Sequence, residues 1–147
     1  MFHPDTQFLI DHWTALAGRT DCRGGIPDRA FVEPSDLGLR LPRAFVARRT
    51  GDDATLRLAG SWIEGFHGAS LNDQSLLSLW RAPSRPLVSA ALTQTIREGR
   101  PVVIVALAGS IAAQIEVALL PLRGSSGQPD RLLGLYAPAA SLTLATD

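Results

Sequence analysis

The sequence predicts an α+β domain: a five-stranded antiparallel sheet with helices on one face, preceded by an amphipathic helix. Three observations carry that expectation. Two strand-like runs near residues 44–60 are joined by turn residues, and three further runs between 101 and 136 follow one another with no helix between them. The helical stretches lie between the two groups, and strands segregated in this way pair antiparallel. At 147 residues, of which 46% are apolar, the chain suits one domain with one sizeable core. Its expected parts are an N-terminal helix and linker (1–42), the domain proper (43–137) and a tail (138–147).

Residues 4–17 read as a helix because Phe8, Leu9, His12, Trp13 and Leu16 recur at three- and four-residue spacing. Pro4 and Asp5 suit a first turn, and Gly18 a stop. From Arg19 to Pro42 the chain is rich in Gly, Pro, Arg and Asp. It reads as a connector with one helical turn at 35–39 capped by Ser35. Strands at 44–49 and 55–60 flank the turn residues of 50–53. Leu56 and Leu58 are expected on one face, with Arg57 on the other. Ser61 is expected to cap a short helix over 62–66, with Glu64 completing half a capping box. A second short helix follows at 75–80. Leu87, Val88, Ala91, Leu92, Thr95 and Ile96 form one stripe of a longer helix over 85–98, closed by Gly99. The run 101–107 is continuously apolar and is expected at the centre of the sheet. Strand 114–122 alternates, with Ile115, Val117 and Leu119 opposed to Gln114, Glu116 and Ala118, and the last strand is 131–136. Joining the strand pair to the triplet through the helices makes a cup between helices and sheet, where a small ligand would sit.

Fourteen basic residues balance fourteen acidic ones, so no net field points to nucleic acid or an anionic membrane as the main partner. Every basic residue is arginine, and they are scattered along the chain. The single cysteine, Cys22, forms no intrachain disulfide and reads as a free thiol in a reducing compartment. The start carries no basic n-region or apolar h-region. The longest apolar run, 102–108, is too short to span a bilayer. A cytoplasmic protein is the expectation.

The order of motifs adds to this reading. His12 and Trp13 end the first helix, FVEP (31–34) and LP (41–42) mark the linker, and RLAGS (57–61) ends a strand. HG (67–68), LW (79–80) and EVALLPL (116–122) follow. In that order and spacing they resemble a PAS domain over roughly residues 4–136. The likeness is nearest to a single-domain subfamily common in alphaproteobacteria that carries an extra N-terminal helix. His67 stands where that pattern has an aromatic residue, and Asp73 where it has glycine. The resemblance implies a PAS-like five-stranded sheet and a sensor or interaction module in bacterial signalling, acting through a protein partner and binding a small ligand or that partner. It does not extend to haem, since the helix over 85–98 holds no histidine. Nor does it extend to flavin photochemistry, since Cys22 precedes the fold. The cofactor is left unknown.

If a small hydrophobic ligand binds, Trp62, Phe66, Trp80, Leu92, Ile104 and Ile115 are the candidate lining, with ordinary core packing as the plainer alternative. Phe8, Leu9, Trp13 and Leu16 on the first helix are the candidates for homodimerisation and signal transmission, because their stripe needs covering. No metal site is expected, as His3, His12 and His67 lack converging ligands. No catalytic residues are expected either. Ser61, His67 and Asp73 have the chemistry of a triad, but nothing around Ser61 resembles a nucleophile elbow. An enzyme on a cup-shaped α+β scaffold, of hydrolase or isomerase type, is the rival reading. It would draw on Arg57, Glu64, His67 and Glu116. A purely structural adaptor is the third.

Overall fold

The computed structural model describes residues 2–19 and 23–138. The expectations for Cys22 and for residues 139–147 lie outside them. The chain runs α1 (Pro4–Ala17), β1 (Ala44–Thr50), β2 (Asp53–Ala59), α2 (Ser61–His67), α3 (Arg85–Glu98), β3 (Val102–Ala108), β4 (Ala113–Leu122) and β5 (Arg131–Pro138). Short 3₁₀ turns fill the linker, the longest over Pro34–Arg43, and two more (Leu77–Leu79 and Ala82–Ser84) lead into α3. All strand pairs are antiparallel, in the order β2-β1-β5-β4-β3. No helix among the described residues is long and apolar enough to cross a membrane.

Strand alternation gives the sheet two apolar faces. Ile115, Val117 and Leu119 of β4, with Leu132 and Tyr136 of β5, face α2 and α3. Ala118, Leu120 and Leu122, with Leu133 and Leu135, face the other way, toward α1. Helices α2 and α3 therefore share one side, and α1 covers the opposite one.

Helix α1 starts where Pro4 sits in the first turn and His3 caps it, its Nδ1 accepting from the Asp5 N–H at 3.0 Å. Leu9 and Trp13, one turn apart, are both buried on the sheet. Trp13 Nε1 donates to the Pro121 carbonyl at 2.8 Å. β3 begins at Val102 opposite Leu119, so Pro121 lies beyond its pairing with β4 and interrupts no ladder on that side. Asp5 adds ion pairs to Arg43 and to Arg40, the latter at 3.1 Å. Burial alone would raise the Asp5 carboxyl. The Arg43 hydrogen bond and the charges of Arg43, Arg40 and His3 outweigh it and hold the group below its ordinary value.

Five local expectations are corrected. The run 102–108 forms an edge strand, with Val105 54% exposed; its apolar side chains serve one face and leave the other in solvent. Leu56 and Leu58 do not share a face. The β1–β2 register shifts between Val46 and Ala47, so Ala47 pairs Leu56 while Val46 pairs Leu58, and Arg57 is the extra residue. Leu56 is fully buried, and Leu58 turns outward at 60% exposure. Ser61 does not cap α2: the cap position is Gly60, with no side-chain bond, and Ser61 begins the helix. Ser35 likewise does not cap the linker turn, which starts after Glu33 without a side-chain cap. Within α3, Val88, Ala91, Leu92, Thr95 and Ile96 form the buried stripe, and Leu87 lies outside it.

Candidate functional site

The site is built around Tyr136, fully buried on β5. Five rings pack against it: Trp80 at 5.4 Å between centroids, His67 at 5.8 Å, Phe45 at 6.1 Å, Trp62 at 6.3 Å and Phe66 at 6.4 Å. Four of the five meet it edge-on, the geometry that ring quadrupoles favour. A phenol buried this way needs a partner, and His67 Nε2 lies 2.9 Å from the Tyr136 oxygen. Burial pushes the Tyr136 hydroxyl well above its usual range and the His67 imidazole below its own. A neutral imidazole can accept from the phenol, so the two shifts describe one arrangement. The link is missed by sequence reasoning because 69 residues separate the partners.

The stretch that carries His67 is held tightly. Gly60, its entry, passes so close to the linker that a Cβ there would lie 2.2 Å from the Pro42 carbonyl oxygen. Gly68 closes α2 in the left-handed conformation at φ 69°. Asp73 adopts the same region at φ 66°, at the position where the family pattern has glycine.

The structure brings the six ring and aliphatic candidates into one apolar cluster. Trp80, Leu92 and Ile115 are buried in it, and Trp62, Phe66 and Ile104 are half-buried against it. Trp62 stacks on Phe66 at 5.2 Å. Between α3 and the sheet, Leu92, Ile115, Val117 and Leu119 are buried in this layer. The opening lies to one side: a cleft of about 500 Å³ bordered by His67, Leu71, Trp80, Arg81, Arg85 and Gly109. Of the six candidates only Trp80 reaches it. Gly109 is at φ 74°, and a Cβ there would meet the Phe66 ring at 2.9 Å.

A second, larger groove of about 880 Å³ lies on the other face of the sheet. Val32, Leu37 and Leu41 of the linker, Val46, Leu58 and Leu133 of the strands, and Arg29 and Arg57 border it. Nothing in the sequence marks it, because the bulge that turns Leu58 outward has no sequence signature of its own.

The four helix-1 candidates divide. Leu9 and Trp13 are buried inside the protomer and so present no face to a second copy. Phe8 is 37% exposed, lies under the Arg40 guanidinium at 3.7 Å and stacks on His12; Leu16 is half-buried. The four polar candidates of the enzyme reading do not converge. Glu116 accepts from the His3 N–H and Glu64 from the Leu71 N–H, each at 2.9 Å, while Arg57 lies 3.7 Å from Asp73. Among the described residues, no three His, Cys, Asp or Glu side chains gather as metal ligands would.

Comparison with curated proteins finds no match. Among solved structures, a light-oxygen-voltage domain studied with a flavin analogue is 12% identical, with a TM-score of 0.56 over 71% of this chain and 82% of that one. An RNA-binding light-oxygen-voltage receptor is 18% identical, with a TM-score of 0.56 over 71% of this chain and 34% of that one. A blue-light-activated histidine kinase of Erythrobacter litoralis is 16% identical, with a TM-score of 0.54 over 65% of this chain and 32% of that one. The chain thus spans about a third of the last two, and at these identities the likeness is one of fold. The sequence model described as PAS domain matches residues 1–137. The α1 helix, the linker and the whole sheet fall inside that match, and the chain belongs to the PAS domain family.

Proposed function

We propose that this PAS domain is a non-catalytic sensor and interaction module of a bacterial signalling pathway. It works in the cytoplasm, through a protein partner, and as a homodimer formed on the outer side of α1 around Phe8. One observation supports the reading above others. Strands β4 and β5 place alternate side chains in two separate cores, so packing around Tyr136 and packing beneath α1 share a backbone. A ligand or partner that favours one packing on the helical side then biases the seating of Leu9 and Trp13 on the other.

The groove beside the linker is the surface assigned to the protein partner. Leu58 and Leu41 are 60% and 40% exposed there, and Arg29 and Arg57 border it. An apolar segment with acidic flanks fits that chemistry. The reading includes no flavin: a three-ring system between α3 and the sheet has to displace Tyr136, Trp80, Leu92, Ile115 and Leu119, all 2% exposed or less. The separated positions of Arg57, Glu64, His67 and Glu116 give the enzyme reading no converging set to work with.

Sedimentation of the full chain over a wide concentration range, beside a Phe8→Glu variant, tests the dimer. A concentration-dependent dimer that the variant loses is the expected result. Two monomers at high concentration contradict it.

A further inference from the structure

We propose that the cleft beside His67 takes a small organic acid, its anionic head held by Arg81 and Arg85 and its apolar body laid over Leu71, Leu79 and Trp80. This rests on the sensor reading and names the class of ligand that the module senses. The chain as a whole is charge-balanced, yet no acidic residue borders the cleft, while two arginines, one histidine and two serines do. Among the described residues, no carboxylate pairs with Arg81 or Arg85.

Arg85 is held through its guanidinium and Arg81 through its main chain. Arg85 donates from Nε to the Trp80 carbonyl at 3.0 Å, which fixes the guanidinium plane and leaves its two terminal nitrogens for a ligand. The Arg81 N–H donates to the Leu107 carbonyl at 2.8 Å, tying the cleft rim to β3. Planar guanidinium forks pair bidentately with carboxylates. The serine before α3 faces away: Ser84 Oγ accepts from the Leu107 N–H at 3.0 Å, so the first turn of the helix, where Arg85 stands, has no side-chain cap. Trp80 is 2% exposed and borders the cleft, adding to its apolar lining. At about 500 Å³ the cleft is in the range of small-molecule sites. Its apolar lining (Leu71, Leu79 and the Trp80 ring) gains nothing from a bare oxyanion, which is why an acid with an apolar body is the expected class.

The test is a titration of the ¹⁵N-labelled full chain with phenylacetate, its neutral isostere phenylacetamide, and inorganic phosphate. The reporters are the Trp80 indole N–H, assigned with Trp80→Phe, and the Arg85 Nε–H. Phenylacetate is expected to shift both signals saturably. The amide should bind at least tenfold more weakly, as should phenylacetate to an Arg81→Gln/Arg85→Gln variant, whose folded dispersion should stay intact because both side chains are on exposed residues. Absence of a saturable phenylacetate shift overturns the proposal. Equal affinity for the amide overturns the arginine assignment, and equal affinity for phosphate overturns the organic-acid class. None of these outcomes decides the coupling between the two cores, which is read without any ligand.

Discussion

His67 and Tyr136 form a side-chain hydrogen bond at the centre of the aromatic cluster, and their environment sets the direction of two effects. Replacing Tyr136 by Phe removes the hydroxyl and leaves the imidazole without its partner, at a cost of about 1 kcal/mol by denaturant unfolding. The pH dependence follows from burial, which lowers the His67 pKa below its ordinary 6.5. The unfolded chain then binds the proton more readily than the folded one. The His67 contribution is fully present above pH 6.5 and is lost as pH falls through the lower folded value. Urea midpoints at pH 7.5, 6 and 5 should decline on the acid side, and His67→Gln should flatten that part of the curve. Gly134 is a second residue-scale constraint. It pairs with Phe45 across β1 and β5, and a Cβ there would lie 2.0 Å from the Phe45 ring. Gly134→Ala is expected to cost about 3 kcal/mol or to abolish folding, an overpacking effect read from the melting curve.

At the scale of elements, α1 is held by burial first and polar ties second. Leu9→Ala should destabilise the protein by about 2–5 kcal/mol, the range for truncating a buried leucine, and near-neutral unfolding data would contradict its placement on the sheet. Helices α1 and α3 were legible in the sequence to within a residue, because Pro at the start, Gly after the end and a three-to-four spacing all agree. Each strand was legible too, yet their places in the sheet were not. Composition shows that 102–108 is apolar, but an edge strand with one covered face has the same letters as a central one. The Arg57 bulge escaped for a related reason: it is a property of the pairing between β1 and β2, which period-two reasoning within β2 cannot show. The same slip hid the groove, since it alone puts Leu58 on the outer face. The candidate rings were found because large aromatics in a small domain gather in its core. The cleft was missed because Arg81 and Arg85 are unremarkable until Trp80 is placed beside them.

The whole molecule is a sheet with two separate apolar cores, and its proposed function depends on their being coupled. Strand β5 carries Tyr136 into one core and Leu133 and Leu135 into the other; β4 lends the Pro121 carbonyl to Trp13. The partner groove should be separable from stability, since Leu58 is exposed: Leu58→Glu is expected to leave the unfolding midpoint within about 0.5 kcal/mol of wild type. The coupling is tested most directly by amide hydrogen exchange of the full chain, wild type against Tyr136→Phe, read over residues 4–17. If the two cores share packing through β5, removing one buried hydroxyl lowers protection in α1 as well as in α2. Loss of protection confined to α2, with residues 4–17 unchanged, would contradict the account.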